Sequence, residues 1–248
     1  MIGRIDLNAD LGEGLGDDAA LLGVVTSANV ACSGHAGDDA TMRQTLGLAM
    51  ARHVRVGAHP GYADRAGFGR QIIAMTLNDI EMLVAGQVAA LVGHAAQVGS
   101  RVEYVKAHGA LANLAADDAD VASAVARGVR AVSADLALLA ISGTAQETAG
   151  RVAGLDVFSE VFADRAYLPN GRLVPRSQVG AMIHDADMAT GRMLRFLDTG
   201  LMPVLDGGQV ALAAQSICVH GDSPGAVAMA VALRRALLGA GVTLAAFV

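Results

Sequence analysis

The sequence predicts an α/β fold, a closed β/α barrel of about seven parallel strands that forms one domain over residues 1–248. Apolar runs of strand length alternate with amphipathic stretches at helical spacing, and the connections between them are short. Polar, glycine-rich segments follow at least five of the strands. An open doubly wound sheet would concentrate its site at one crevice, whereas a barrel gathers every such segment at one rim, so their number favours a barrel.

The predicted strands are the apolar runs that precede these polar segments or lie between helices. They occupy residues 2–10, 27–32, 54–56, 102–106, 136–141, 157–162 and 210–219. An eighth run, residues 243–248, is expected to close the sheet. Because no repeat, low-complexity tract or linker interrupts the alternation, we expect a single domain.

The predicted helices begin at capping residues and follow a period of 3.6. Asp38 or Asp39 caps a helix that ends near residue 53, and Thr76 caps one that ends near residue 99. Further helices are expected over residues 117–133 and 185–198. Ser223 caps, and Pro224 opens, a last helix to about residue 238. Residues 169–179 are predicted to form a long loop.

The composition excludes several classes of protein. Hydrophobic residues make up 53% and charged residues 17% of the chain, which is enough apolar material for a large core. A net charge of −6 and the lack of a basic stretch argue against nucleic acid or an anionic membrane as a partner. No apolar run approaches the roughly 20 residues of a membrane span. Two cysteines, Cys32 and Cys218, and a start without a signal-peptide pattern predict a reduced, cytoplasmic protein.

The stretch over residues 57–70 is the most informative of the polar segments. It holds His59, Asp64, Arg65, Arg70 and four glycines directly after a short apolar run. Glycine allows close approach to a ligand, and polar side chains on a loop held by a strand are typical of binding sites. The alternative interpretation is a turn in which Asp64 and Arg65 form a structural ion pair.

Similar clusters recur after the other strands and define the candidate site. Its members are Asn8, Asp10, Glu13, His35, Asp38, His59, Asp64, Arg65, Arg70, Lys106, His108, Glu160, Asp164, Arg165, His220 and Asp222. Histidines and carboxylates act as general acids and bases or as metal ligands. Cys32 near His35 and Cys218 near His220 suggest zinc, but cysteine at a strand end is more often a small core residue. The sequence contains no P-loop.

The same residues resemble a known family. The matching segments are DLNADLGEG (6–14), SANVAC (27–32), HAGD (35–38), GAHP (57–60), DR (64–65), GFGR (67–70), VK (105–106), HGAL (108–111), EVFADR (160–165) and CVHGD (218–222). In this order they are similar to the LamB/YcsF family over nearly the whole chain. The resemblance implies an irregular β/α barrel akin to NodB-type deacetylases and glycoside hydrolases. It also implies ATP-dependent hydrolysis of the lactam 5-oxoproline to L-glutamate. The implied cofactor is ATP, accompanied by Mg²⁺, and the implied partners are 5-oxoprolinase subunits B and C.

The sequence departs from the family pattern at two places. The family's Cys-Gly-Phe-His reads Cys-Ser-Gly-His at residues 32–35, and its Lys-Pro-His-Gly-Ala-Leu-Tyr-Asn reads Lys-Ala-His-Gly-Ala-Leu-Ala-Asn at residues 106–113. One aromatic side chain is lost at each place. We expect this to change the shape of the pocket more than its polar chemistry.

The implied reaction assigns roles to the candidate residues. The expected catalytic residues are Asp10, His59, Lys106 and His108: His59 or His108, with Asp10, orients and activates water. Arg65 or Arg165 holds the substrate carboxylate in bidentate fashion. The remaining members of the candidate site bind substrate.

Two other functions stay open. The first is a metal-dependent deacetylase or amidase that acts alone, with Asp10, His35 and His59 as metal ligands. The second is a non-catalytic subunit that binds a ligand and needs other chains for chemistry.

Lys106 is the only lysine among the 18 Lys and Arg residues. It stands at a strand end, two residues before His108. It is either solvated at the barrel rim or a compact charge directed into the site, where it holds a carboxylate or phosphoryl oxygen. Arginine has a larger, planar head group and cannot replace an ammonium there. We predict the functional role, because a surface lysine would be expected on a helix rather than at this rim.

Overall fold

A computed structural model describes residues 3–15, 17–222 and 225–248 as ten strands and eight helices. The strands are β1 (Arg4–Leu11), β2 (Ser27–Ala31), β3 (Arg55–His59), β4 (Tyr104–Val105), β5 (Ala137–Ile141), β6 (Val157–Phe162), β7 (Leu201–Pro203), β8 (Gln209–Ala211), β9 (Ser216–His220) and β10 (Thr243–Leu244). The helices are α1 (Asp18–Leu22), α2 (Asp39–Ala51), α3 (Leu77–Gln97), α4 (Gly109–Asp117), α5 (Ala119–Val132), α6 (Ala145–Val152), α7 (Ala186–Thr199) and α8 (Ala226–Gly239).

Seven of these strands close into a parallel barrel. The order is β1-β2-β3-β4-β5-β6-β9, and β9 pairs back to β1 with Asp6 opposite Ser216 and Asp10 opposite His220. The strands β4 and β5 are joined by two registered residue pairs, Tyr104 with Ala137 and Val105 with Leu138. The predicted barrel of about seven strands is therefore confirmed. Its carboxyl ends share one rim, which is where the polar segments fall.

Two strand predictions were wrong. Residues 243–248 do not close the sheet, because β10 pairs only with Arg4 and Ile5 at the start of β1, and β9 closes the barrel. Residues 210–219 are not one strand, because β8 forms an antiparallel hairpin with β7 and β9 begins only at Ser216. Both halves of that run are apolar, so hydrophobic pattern alone does not locate the break between them.

The helix caps predicted at Asp38 and Thr76 are confirmed. Asp38 caps α2 by accepting a hydrogen bond from the backbone N–H of Thr41, and Thr76 with Asp79 forms a capping box at α3. The predicted cap at Ser223 and Pro224 lies outside the described residues, as does Ile2 at the predicted start of the first strand. The helices α1, α4 and α6 were not predicted, because each has nine residues or fewer, which is too short for a clear run of helical spacing.

The barrel interior beneath the rim is polar and hydrogen-bonded to itself. The Asn29 amide donates to Asn8 Oδ1 at 2.7 Å and to Asp10 Oδ1 at 2.8 Å, and the Tyr104 hydroxyl donates to Asn29 Oδ1 at 2.7 Å. Glycine at position 57 makes room for this tyrosine, because a Cβ there would lie 2.2 Å from the Tyr104 ring. The network thus fixes Asp10 from below.

No helix of the described chain is long and apolar enough to cross a bilayer. The cysteines Cys32 and Cys218 are free and buried rather than joined in a disulfide.

Candidate active site

The carboxyl ends of β1, β3, β6 and β9, together with the residues after β4, surround a cavity of about 580 Å³. Predicted site residues that line it are Asp10, His59, Arg70, Lys106, His108, Glu160, Arg165 and His220. Its volume lies in the range of small-molecule sites. The rim of the barrel therefore brings half of the sixteen predicted residues into one cavity.

Lys106 is held in a cage formed by Asp10, Glu160 and Cys218. Its ammonium lies 2.9 Å from Asp10 Oδ1, 3.1 Å from Glu160 Oε2 and 3.0 Å from Cys218 Sγ. Only 3% of Lys106 is exposed. The sole lysine is thus buried and not solvated at the rim, and one charge faces two carboxylates.

The cage shifts the proton affinities of its members. Burial opposes the charge on Asp10, but His59 and Lys106 outweigh it and hold the pKa of Asp10 well below its usual range. Burial also opposes the charge on Lys106, yet Asp10 chiefly raises the Lys106 pKa well above its ordinary value. Burial raises the pKa of Glu160 to about 7, although Lys106 counteracts it. At neutral pH the cage therefore holds an ammonium, an ionised Asp10 and a carboxyl poised to give or take a proton.

His59 and His108 share a proton. His59 Nδ1 donates to the carbonyl of Lys106 at 2.8 Å, and His108 Nε2 donates to the carbonyl of Phe68 at 2.9 Å. The two inner nitrogens, His59 Nε2 and His108 Nδ1, are 3.0 Å apart, so one of them must carry a further proton to bond the other. Asp10 Oδ2 lies 3.4 Å from His59 Nε2 and balances the resulting charge.

Burial, followed by His59 and His35, lowers the pKa of His108 well below its usual value. A proton on the inner nitrogen of His108 is therefore readily given up. The pair is a built-in proton donor at the cavity wall.

His35 completes a cluster with these two histidines beneath the cavity. Its ring stacks on His108 with centroids 3.6 Å apart, and its Nε2 lies 3.0 Å from Glu13 Oε1. Burial lowers the pKa of His35 to about 3, and burial raises the pKa of Glu13 well above its ordinary value. The neutral forms of both groups are thus favoured, and one hydrogen bond joins the ring nitrogen to the carboxyl oxygen.

The glycine-rich stretch over residues 57–70 allows these rings to pack. Gly69 has φ +62°, and a Cβ there would lie 2.7 Å from Cβ of His35. Phe68 takes the same left-handed conformation, φ +55°, although it is not glycine. Its carbonyl accepts the hydrogen bond from His108 Nε2. The loop backbone therefore fixes the tautomer of His108.

The histidine cluster can offer a metal ion three of its four side chains but not all four. Glu13, His35, His59 and His108 each bring a ligand atom into one group, whereas Asp10 groups with Cys218 and His220. The expected set of Asp10, His35 and His59 is thus not assembled as one. The rings of His35 and His108 lie parallel within 3°, so one ion cannot lie in both ring planes.

Several predicted residues lie outside the cavity lining. Asp38 caps α2, Asp64 Oδ1 accepts from the backbone of Gly67 at 2.8 Å, and Arg65 donates to the carbonyl of Gly37. Within the described chain Asp64 and Arg65 do not form the ion pair that the alternative interpretation required. Asp164 bonds His220 Nδ1 at 2.9 Å, and Asp222 pairs with Arg70. Asp164 and Asp222 therefore bind residues that line the cavity and do not line it themselves. Asn8 lies under the cage.

Sequence reasoning missed Cys218 as a partner of Lys106 and Arg176 as a residue of the cavity wall. Cys218 lies next to the end of the predicted strand 210–219 and two residues before His220, so its position was a usable signal. Arg176 falls in the predicted long loop over residues 169–179, where no pattern distinguishes it.

The two lost aromatics have different structural consequences. A Cβ at Gly34 would lie 2.6 Å from the Gln87 amide, which bonds both backbone groups of Gly61. Gln87 therefore occupies the space beside Gly34. Ala112 lines the cavity, so a small side chain there leaves volume open.

Comparisons with known proteins agree with this geometry. The LamB/YcsF family matches residues 5–248. A protein of Paracidovorax citrulli, named as the A subunit of 5-oxoprolinase, is 50% identical over 98% of this chain and 99% of its own length. The crystal structure of a lactam utilization protein from Thermus thermophilus has a TM-score of 0.92 at 40% identity, covering 98% of this chain and 100% of that one.

A structure described as T48 deacetylase with substrate has a TM-score of 0.51 at 15% identity, over 98% of this chain and 87% of that one. This shows a likeness of fold alone, and it agrees with the expected deacetylase-like barrel. The resemblance found in the sequence motifs is confirmed over nearly the full length. The chain belongs to the LamB/YcsF family.

Proposed function

We propose that the chain is the A subunit of an ATP-dependent 5-oxoprolinase that opens the lactam of 5-oxoproline to give L-glutamate. The observation that carries the proposal is the Lys106 cage beside the proton-loaded His59–His108 pair on one cavity wall. Lactam hydrolysis needs a base for water, donors for the developing oxyanion and an acid for the leaving nitrogen. All three kinds of group are present within this cavity, and full-length relatives carry the matching name.

The residues of the chain divide these tasks. Glu160, with a pKa raised by burial to about 7, is the base that takes a proton from water. Lys106 and the proton held by the His59–His108 pair stabilise negative charge on the phosphorylated lactam oxygen. The His59–His108 pair then gives its proton to the ring nitrogen as the C–N bond breaks. This differs from the sequence-based expectation that a histidine is the base, because a pair that already holds an extra proton is an acid.

In the proposed reaction ATP phosphorylates the lactam oxygen and ADP leaves, which makes the stabilised amide carbon electrophilic. Water adds to that carbon, the C–N bond breaks to leave an acyl phosphate, and a second water hydrolyses the acyl phosphate to the glutamate carboxylate and phosphate. The cavity suits phosphate, since Arg70, Arg165 and Arg176 lie along its wall. Arg70 and Arg165 are the candidates for the substrate carboxylate. Arg65 does not line the cavity. Whether the nucleotide binds this chain or a partner is decided by binding assays on the separate subunits.

Replacing Glu160 with glutamine is expected to lower turnover about 100-fold or more and to remove a limb of the pH profile near pH 7. The base works when ionised, so the wild-type rate should fall as pH drops below about 7. The measurement is the ratio of variant to wild-type rates across pH in the complex reconstituted with subunits B and C. Glu81→Gln, on the exposed face of α3, is the control. A variant that keeps both its rate and its acidic limb would show that Glu160 is not the base.

The isolated chain is expected to show little or no turnover, because the activation step and the partner subunits are missing. Ring opening should appear when subunits B and C and Mg·ATP are added, measured as glutamate and phosphate release. Robust ATP-dependent ring opening by the chain alone would contradict the partner requirement. Stoichiometric metal together with chelator-sensitive activity would favour the amidase alternative. Unchanged turnover after loss of Lys106 would favour the other alternative, a non-catalytic subunit that binds a ligand and needs other chains for chemistry.

A further inference from the structure

The wall of the cavity carries more positive charge than its own carboxylates neutralise. Four arginines line it. Arg70 pairs with Asp222, and Arg172 pairs with Asp117 at 2.5 Å. In the described part of the chain, no carboxylate lies within ion-pair distance of the other two, Arg165 and Arg176. Asp164, the acid next to Arg165 in sequence, is engaged by His220.

Arg165 is buried, with 4% of its surface exposed. One of its guanidinium nitrogens donates to the carbonyl of Val174 at 2.7 Å, and its Nε has no hydrogen-bond partner among the described residues. Burial, followed by the nearby Arg176, lowers the pKa of Arg165 to about 10, so the group remains charged at neutral pH. A buried cation with an unused donor is costly unless a ligand supplies the missing anion.

Arg176 lies beside it. The backbone of Arg165 forms an antiparallel bridge with Met182, and the guanidinium of Arg176 lies 3.5 Å from the Met182 sulfur, a weak acceptor. The Arg165 backbone and the Arg176 guanidinium therefore adjoin the same residue, the two charges act on one another, and both residues line the same cavity. Among the described residues, neither has a carboxylate within ion-pair distance, and Asp164 acts on both only from farther away.

We propose that Arg165 and Arg176 form a subsite for a phosphoryl group in the cavity. Two such guanidinium groups match the charge of a phosphate, about −1.5 to −2 at neutral pH, better than that of one carboxylate. Arg70 then remains for the substrate carboxylate. The cavity, about 580 Å³ with a small side chain at Ala112, has room beyond a small lactam acid. The inference rests on the proposed function, in which a phosphoryl group activates the lactam, and it locates that group on this chain.

The test is calorimetric titration of the purified chain with inorganic phosphate, with phosphonoacetate, which carries a phosphonate and a carboxylate, and with ADP and Mg·ATP. Phosphate affinity is expected to fall at least about tenfold in Arg176→Gln and in Arg165→Gln. Arg127→Gln, whose side chain pairs with Glu81 on the outer helices, should bind phosphate as wild type does. Because Arg165 is buried and its variant is at risk of misfolding, the partly exposed Arg176 variant, checked by thermal unfolding, decides the outcome.

The competing ligands identify the source of the phosphoryl group. Displacement of phosphate by nucleotide, with weakened nucleotide binding in the same variants, assigns the subsite to the nucleotide's terminal phosphate. Displacement by phosphonoacetate alone assigns it to a phosphorylated substrate or product. Phosphate that does not bind in the millimolar range, or binds equally to wild type and both variants, overturns the proposal. Failure of ring opening in the reconstituted complex, with phosphate binding intact, would remove the proposed function and leave the subsite.

Discussion

Replacing Lys106 with arginine is expected to lower turnover of the reconstituted enzyme at least about tenfold, roughly 1.4 kcal/mol of transition-state stabilisation. The ammonium is enclosed by Asp10, Glu160 and Cys218 at 2.9–3.1 Å, and only 4% of its side chain is exposed. A guanidinium keeps the positive charge but is larger and planar, so it cannot take the same position between the two carboxylates. The positive charge is then retained but moved from the position that the proposed mechanism requires.

The sequence alone predicts that Lys106→Arg folds normally. Because Lys106 is enclosed by three partners, a larger side chain there tests that prediction of normal folding more severely than a solvated lysine would. Lys106→Met, which removes the charge, should cost about 3–5 kcal/mol in the free energy of unfolding, because two buried carboxylates lose their partner. Thermal unfolding and reconstituted activity are measured together for both variants. Arg127→Lys, an exchange of the same two residue types on an exposed helix face, is the control. Wild-type turnover of Lys106→Arg would remove Lys106 from the mechanism.

The barrel could be predicted because each strand, and the segment that follows it, is recognised from residues that are neighbours in the sequence. Most of the barrel strands are short, largely apolar runs, at least five of them are followed by a polar segment, and parallel strands bring their carboxyl ends to one rim. The same rule brought together Asp10, His59, Lys106 and Glu160, which lie far apart in sequence. The break between β8 and β9 could not be predicted, because both halves are apolar and only the hairpin with β7 separates them.

The candidate site shows where local pattern stops being informative. Asp38 and Asp64 carry the same side chain as Asp10, yet they bond backbone N–H groups of Thr41 and Gly67. A carboxylate in a glycine-rich segment has either use, and only the folded loop decides between them. The contact between Cys218 and Lys106 spans 112 residues, so no spacing in the sequence reveals it.

Alanine at His59 and alanine at His108 are each expected to lower ring opening about 100-fold or more, measured with all subunits present. Either change removes one of the two nitrogens, 3.0 Å apart, between which the proton is held. His59→Ala also removes the ring nitrogen that lies 3.4 Å from Asp10 Oδ2, and His108→Ala removes the ring on which His35 stacks. The loss should appear mainly in turnover rather than in substrate affinity, because neither ring is assigned to the carboxylate.

Because the two rings act as one proton-holding unit, their effects should not add. The double variant is expected to be about as slow as the slower single variant, since the unit is already broken by one change. His94→Ala, on α3 and paired with Asp39 at 3.3 Å, is the control for loss of a histidine outside the cavity. Near wild-type ring opening by both single variants would refute the assignment. Strictly multiplicative losses in the double variant would show instead that each histidine acts alone, and that the proton between them has no part in cleaving the C–N bond.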